Sequence, residues 1–418
     1  MQQFDLPKNF LFGTATSSFQ IEGNNNNCNW YNWINSGHIK NSLKNQFFCD
    51  HWNKIDEDID LFKKLNSRTY RMSIEWSRVE PKEGIFDKKA IEHYKYEIKK
   101  LKKYKIIPMV TLHHFTNPIW FENKGGWQNK INIDYFLNYA GFIIDNLSDI
   151  VQDWITINEP NVYLSMGYMK GTWPPGKKVS LCKYLKCAKN IINAHQKTYE
   201  LIHKTGHNKN IKMNVGVAHH IRFFKPVNNN FINKKVIQIL DYYFHDLFID
   251  RMTLKHKNKL KIKYADFMGI NYYTGDIIGI PFNSSKKSLE IKMKNDLGWL
   301  VYPEGLFDIC FKYYQKYNLP IYITENGICD NDDQLRIKFI YDHVFQIKKL
   351  IEAGVDVQRY YHWSSIDNFE WLEGINARFG LIHINYNNLQ RTIKKSGYFY
   401  SELSKNNSIT DKMIKKYM

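Results

Sequence analysis

The stretch "YITENGICD" (322–330) begins as a strand of aromatic and β-branched residues, with Pro320 just ahead of it, and then places a carboxylate, Glu325, where the strand meets an Asn-Gly turn. A second stretch, "DWITINEPN" (153–161), has the same form: an apolar run ends in Asn158 and Glu159 and is punctuated at once by Pro160. One glutamate at the end of an apolar strand is unremarkable. Two in one chain ask for a fold in which the ends of separate strands meet.

Working outward from these two, which fill "PIYITENG" (320–327) and "DWITINEP" (153–160), six further short runs read as strands. They are "FLFGTAT" (10–16), "RTYRMSI" (68–74), "IPMVTLHH" (107–114), "MNVGVAHH" (213–220), "FMGINYY" (267–273) and "VQRYYHWSSID" (357–367). Segments with helical spacing lie between them, at 56–65, 88–104, 134–148, 181–204, 303–317 and 332–353. Alternation of strand and helix implies a parallel sheet. Eight near-continuously apolar strands fit a closed barrel, buried on both faces, better than an open sheet with exposed edges. The expected fold is therefore α/β, a single (β/α)8 TIM barrel occupying 1–418 as one domain. No GxGxxG follows the first strand and no GxxxxGK occurs, so a nucleotide-binding sheet lacks its fingerprint. No Ser/Gly-rich linker divides the chain, and the Asn run at 24–27 reads as a loop. Barrels of this kind build their active sites at the carboxyl ends of the strands, so Glu159 on strand 4 and Glu325 on strand 7 would face one mouth.

Composition agrees with a large folded core: 43% of residues are hydrophobic, 16% aromatic and 24% charged. The net charge of +18 raises nucleic acid, an anionic membrane or an acidic substrate as partners. Its lysines, however, are spread over helix-like segments such as "KYEIKKLKKYK" (95–105) and "KMIKKYM" (412–418), interleaved with apolar residues as on a solvated helix face. No nucleic-acid partner is expected. "MQQFDLPKNFLFGTATSSFQ" has no basic segment followed by an apolar run, and no stretch approaches 18 apolar residues, so neither an export signal nor a membrane partner is expected. The six scattered cysteines contain no CxxC and read as free thiols, consistent with a cytoplasmic location.

Two carboxylates flanking a bond suit glycoside hydrolysis: one protonates the leaving oxygen while the other attacks or activates water. A lone glutamate would as readily cap a helix or pair with a lysine. Two matched strand-end glutamates shift the balance toward chemistry. Pro160 is expected to hold Glu159 in extended backbone. Arg71, near the end of strand 2 in "YRMSIEWSR", is expected to keep Glu325 ionised by charge pairing, with Glu159 protonated in more apolar surroundings.

At this point the residues carry a resemblance. "FLFGTATSSFQIEG", "RMSIEWSR", "TLHHFTNPIWF", "WITINEPNV", "GINYYTG", "IYITENG" and "WSSIDNFEWLEG" resemble, in order, the successive signatures of glycoside hydrolase family 1, the β-glucosidase family. The resemblance implies that Glu159 is the general acid/base and Glu325 the nucleophile of an exo-acting, retaining double displacement, with the carboxylates about 5–5.5 Å apart. It implies glycone contacts at Gln20, His114, Asn158, Glu370 and Trp371, with Trp363 the indole on which the sugar packs. Asn271 and Tyr273 match residues near the nucleophile, Tyr273 as a hydrogen-bond donor to Glu325. Trp299 in "LGWLVYPEGL" and Phe379 fall on the aglycone side, where lid or core packing is the equal alternative. The substrate implied is a small β-glycoside or oligosaccharide, with no cofactor. The stretches 221–266 and 274–298 are lean for this family, which leaves the leaving group open.

Three rival readings follow. A metal-dependent hydrolase is suggested by the pairs His113–His114 and His219–His220, but consecutive strand residues point to opposite faces, and no HxH or HExxH occurs, so no metal is expected. A non-catalytic sugar-binding scaffold is disfavoured by the presence of both glutamates. A 6-phospho-β-glucosidase is the third. Phospho-specific members of the family carry serine where this chain has Glu370, then lysine and tyrosine where it has Ala377 and Phe379. A carboxylate at 370 accepts hydrogen bonds from neutral hydroxyls and repels a phosphate dianion, so unphosphorylated β-D-glycosides are expected.

Overall fold

A computed structural model describes residues 1–39, 48–257, 260–279 and 293–418. Eight parallel strands close into a barrel: β1 (Leu11–Ala15), β2 (Thr69–Ser73), β3 (Ile107–His113), β4 (Asp153–Asn158), β5 (Asn214–His220), β6 (Met268–Asn271), β7 (Ile321–Asn326) and β8 (Val357–Trp363). Each strand pairs with its neighbour in sequence, and β8 closes on β1 with Tyr360 opposite Phe12. The fold is a (β/α)8 TIM barrel, with every residue of β4 and β7 buried, as strands enclosed on both faces require.

A principal helix follows each strand: α1 (His51–Lys64), α2 (Lys88–Lys103), α3 (Asn132–Leu147), α4 (Leu181–Lys209), α5, α6 (Glu304–Tyr317), α7 (Arg336–Glu352) and α8 (Lys395–Asn406). The helix α5 begins as Phe231–Asp241, passes through a π-helical stretch at Tyr242–Asp246 and ends in Leu247–Thr253. The logic of α2 is typical: Asp87 accepts from the N–H groups of Lys89 and Ala90, while Ala90, Ile91, Tyr94, Ile98 and Leu101 form the buried stripe. Its last turn carries Lys100, Lys102 and Lys103, favourable beside the helix's partial negative end.

The helices α7 and α5 depart from the sequence pattern for visible reasons. The helix α7 starts at Arg336 rather than 332, because the Asp330 carboxylate accepts from the N–H groups of Gln334, Leu335 and Arg336 and closes the preceding residues into a loop. The helix α5 gives no clean amphipathic signal, since Phe231, Ile232 and Ile239 are exposed. The lean stretch 221–266 holds this helix and a short strand, Phe223–Pro226, paired in parallel with Gly275–Ile278. Residues 280–292 of the second lean stretch lie outside the described residues.

The lower half of the barrel is filled. Arg359 of β8 reaches Asp153 of β4 through two bonds of 2.9 and 3.1 Å. Its guanidinium lies 4.6 Å over the Tyr322 ring, and Phe267 stacks on the same ring at 4.2 Å. The Tyr361 hydroxyl bonds Thr69 of β2 at 2.8 Å. These residues make a floor beneath the carboxyl ends of the strands.

Candidate active site

Thr69 points into the barrel, so Arg71, two residues on, points the same way one layer higher. Its guanidinium is fully buried, donates from Nη2 to Asn158 Oδ1 at 2.6 Å and from Nη1 to the Thr324 carbonyl at 3.2 Å, and is paired with Glu325 Oε1. The other oxygen of Glu325 accepts from the Tyr273 hydroxyl at 2.6 Å. Both carboxylate oxygens thus have donors from different strands, which fixes the plane of the group. Burial is the largest influence on Glu325 and lifts its carboxyl to about 7; Arg71 draws it down, and the Glu159 charge raises it again. The expected pairing of Arg71 with Glu325 is present and lowers the carboxyl, but removal from water outweighs the guanidinium.

Glu159 follows β4 directly. Its backbone is left-handed (φ 42°), not extended as the following proline suggested. The reason is local: its N–H still bonds the Ala218 carbonyl of β5 at 2.8 Å, while Pro160 opens the helix Pro160–Leu164, so the chain must turn sharply at this residue. A non-glycine residue held there is a strained position of the kind that clusters at functional sites. Nor are its surroundings simply apolar. Glu159 Oε1 accepts from Asn271 Nδ2 at 2.8 Å and lies 3.1 Å from His220 Nδ1. Asn271 itself is opposite Glu325 in the register of β6 and β7, and its Oδ1 accepts from Thr324 at 2.6 Å.

Glu159 and Glu325 line one cavity of about 720 Å³, together with His114, Tyr273, Trp363, Glu370 and Trp371. Trp363 Nε1 donates to Glu370 Oε1 at 2.9 Å, and burial pushes the Glu370 carboxyl up to about 8. Glu370 is therefore neutral more often than the sequence reading expects, which weakens charge repulsion as a ground for refusing a phosphate. The His114 ring lies nearly parallel to Trp363, with centroids 5.9 Å apart, and burial holds it neutral. Its Nε2 is 3.1 Å from Asn158 Nδ2, whereas Nδ1 is buried with no protein partner. Gln20, Asn158 and Asn271 do not line the cavity; they stand behind its wall. Gln20 Nε2 donates to Asn368 Oδ1 at 3.0 Å and to the Phe369 carbonyl at 2.7 Å, and its side chain also bonds Glu370.

Trp299 and Phe379 both line the cavity and pack around Tyr273, each with its ring centroid 6.2 Å from that of Tyr273. Ala377 is buried and is not part of the lining. The histidine pairs split across the wall: His113 bonds Asn117 outside the barrel while His114 faces inward, and His220, not His219, reaches Glu159. Among the described residues no group of three or more His, Cys, Asp or Glu side chains is placed to hold a metal. All six cysteines are unpaired. Sequence reasoning missed His220 as a partner of Glu159, along with Thr111 and Thr324, which position Arg71 and Asn271. The signal for His220 was present, a polar residue ending β5 beside the strand that carries Glu159.

The sequence pattern of Glycosyl hydrolase family 1 matches residues 2–409. Beta-glucosidase A of Acetivibrio thermocellus is 32% identical over 97% of this chain and all of its own length. Among solved structures, a beta-glycosidase from Pyrococcus horikoshii has a TM-score of 0.89 at 36% identity, covering 100% of this chain and 98% of that one. The beta-glucosidase from Thermotoga maritima in complex with glucoimidazole superposes with a TM-score of 0.88 at 30% identity, covering 96% of this chain and 99% of its own.

Proposed function

The chain belongs to glycosyl hydrolase family 1 and is an O-glycoside hydrolase of the β-glucosidase type, and from that premise we propose that it is an exo-acting, retaining β-glycosidase of unphosphorylated sugars. Glu325 is the nucleophile and Glu159 the acid/base. The observation that carries this reading is the pair of carboxyls in one cavity, one clamped by Arg71 and Tyr273 and the other free to exchange a proton beside His220 and Asn271. In the first step the Glu325 carboxylate attacks the anomeric carbon as the Glu159 carboxyl protonates the departing oxygen. In the second, Glu159, now a carboxylate, takes a proton from the water that releases the sugar. As negative charge leaves Glu325 in the first step, the bonds from Arg71 and Tyr273 loosen their hold, and they regain it in the second. His114, Trp363 and Glu370 offer the sugar a flat aromatic wall and polar groups for its hydroxyls.

The preference for an unphosphorylated sugar is supported by where the cations stand. Glu370 follows β8, whereas the cavity's described cations, Lys170 and Arg222, follow β4 and β5 on the far side of the barrel, and Arg222 is paired with Asp276 at 2.8 Å. Among the described residues of the cavity, a phosphate placed beside Glu370 would have no cation to offset it. The test compares kcat/KM for nitrophenyl β-glucoside and its 6-phosphate, with the first-formed anomer followed by NMR. The neutral substrate is expected to be the better one, released with retention; a higher value for the phosphate, or an inverted first product, would overturn the proposal.

A further inference from the structure

We propose that the natural substrate carries a large apolar aglycone rather than a second sugar, seated along the wall of Val162, Met166, Leu240 and Phe244 and running out over the exposed side of α5. The inference rests on the roles given above to Glu159 and Glu325. An acid must stand beside the oxygen it protonates, so the leaving group lies on the Glu159 side of the cavity while the sugar occupies the side of Glu325, Trp363 and Glu370. Glu159 ends β4 and touches His220 at the end of β5. The segments that follow those two strands supply the cavity wall there: Val162 and Met166 after β4, and Phe224, Leu240 and Phe244 after β5.

This wall is poorly suited to a sugar. A second pyranose presents a rim of hydroxyls, each of which loses water on entering and needs a partner in return. Among the described residues, the polar groups of the cavity on this side are few. Arg222 and Asp276 are already bonded to each other and His220 is engaged with Glu159, which leaves Ser165 and Lys170 at the rim. The sulfur and hydrocarbon groups of Met166, Leu240 and Phe244 gain instead from covering apolar surface, and methionine adapts to irregular shapes.

The apolar surface does not stop at the cavity. On α5, Val236 and Leu240 are partly covered, while Ile232, Ile239 and Tyr243, spaced three to seven residues along the same flank, are 59%, 56% and 50% exposed. Met169, which also lines the cavity, is 49% exposed. Continuity of this flank with the cavity wall identifies its occupant: an aglycone longer than the cavity extends over it. A lone exposed isoleucine would need no explanation, but a stripe joined to the leaving-group side of a catalytic cavity has one.

The test measures kcat/KM for methyl, butyl and octyl β-glucosides and for cellobiose, with detergent substrates kept below their micelle concentration. The octyl glucoside is expected to exceed both the methyl glucoside and cellobiose by about tenfold or more, since each methylene covered adds a several-fold gain. Cellobiose equalling or exceeding the octyl glucoside overturns the proposal. Two variants locate the effect. Leu240→Asn is expected to reduce the octyl-to-methyl ratio several-fold, and Ile239→Ser, an exposed change that leaves the core untouched, to reduce it by a smaller factor. A ratio unchanged in both would place the aglycone elsewhere and overturn the assignment. Failure to hydrolyse any of these glycosides would instead contradict the underlying β-glycosidase reading.

Discussion

Glu325 and Glu159 differ less in kind than in what holds them, and their replacements should differ accordingly. Glu325→Ala is expected to lose nearly all turnover, with azide or formate restoring it and giving an inverted product, because a small anion attacks from the vacated side. Retained product from the rescued variant would contradict the role. Glu159→Gln is expected to lose about 10²- to 10⁴-fold in kcat/KM on substrates with poor leaving groups and far less on nitrophenyl substrates, whose departure needs no proton. Tyr273 gives a second handle. Burial raises the Glu325 carboxyl to about 7, and the Tyr273 bond lowers it. Since the nucleophile acts as the carboxylate, kcat/KM should fall as pH drops through that value, well above the ordinary glutamate range. Tyr273→Phe removes a lowering influence, so its acid limb should move to higher pH; movement in the opposite direction would mean that the hydroxyl does not control this titration. Legibility at this scale is uneven. Each glutamate stands out because it interrupts an apolar run, whereas the His220 contact joins residues 61 apart and shows only once the end of β5 is set beside that of β4. The left-handed turn at Glu159 was hidden for another reason: the rule that proline imposes extended backbone on its predecessor yields here to strand pairing before it and helix after it.

Among the elements, the β7–β8 edge has the least tolerance. A Cβ at Gly327, just past the end of β7, would lie 1.8 Å from the Trp363 carbonyl oxygen, which is backbone and cannot swing aside. The Asn-Gly of "YITENGICD" is therefore present for close approach between two strand ends. Gly327→Ala is expected to destabilise the protein by about 1–3 kcal/mol, the usual cost of overpacking. It should also raise KM for glycosides, because Trp363 and its bond to Glu370 must shift. Chemical denaturation and steady-state kinetics on one preparation would check both; unchanged values would mean that the strand ends part without cost. The eight strands were readable from sequence because barrel strands are buried on both faces and keep an apolar signature whatever their neighbours. The helix α5 was not, because its exposed flank is itself apolar and its pitch widens at Tyr242–Asp246. The short strand Phe223–Pro226 was missed because it is half-buried, brief and paired with a segment far along the chain.

Over the whole molecule, buried titratable groups set a window of stability that the surface charge does not reveal. Burial holds His113, His195 and His343 down to about 4 and His219 to about 3, below the ordinary histidine value of 6.5. The unfolded chain then binds more protons than the folded one, so the stability these groups allow is fully present above about 6.5 and is lost as pH falls toward 4. Other groups act in the opposite sense. Burial lifts Glu22 and Glu325 to about 7 and Glu370 to about 8, so the fold loses stability as pH rises from about 4.5 through those values. For His51 burial works downward, but bonds and charge from Asp58 and Glu97 prevail and carry it to about 10; its contribution is present below 6.5 and fades as pH climbs through 10. His93, His114, His245 and His362 are held down in the same sense as His113, and Glu80, Glu122 and Asp308 are raised; between about 4.5 and 6.5 the eight histidines outnumber the six carboxyls, so Tm is expected to peak near pH 6–7 and decline on both sides. In Glu370→Gln the decline between about pH 6 and 8 should be shallower. Calorimetry across that range decides it, and an unaltered alkaline slope would remove Glu370 from the account.

The filled floor of the barrel also sets the order of traffic. With Arg359, Asp153, Tyr322 and Tyr361 packed beneath the carboxylates, whatever enters at the strand ends must leave by the same door. On the mechanism proposed above, the sugar lodges innermost and the leaving group nearest the opening, so the alcohol departs first, the water arrives along the path just cleared, and the monosaccharide is the last to go. A cul-de-sac of this shape makes the released sugar a competitor for the next substrate, and it gives any alcohol that lingers in the passage the same access to the glycosyl–enzyme as water has.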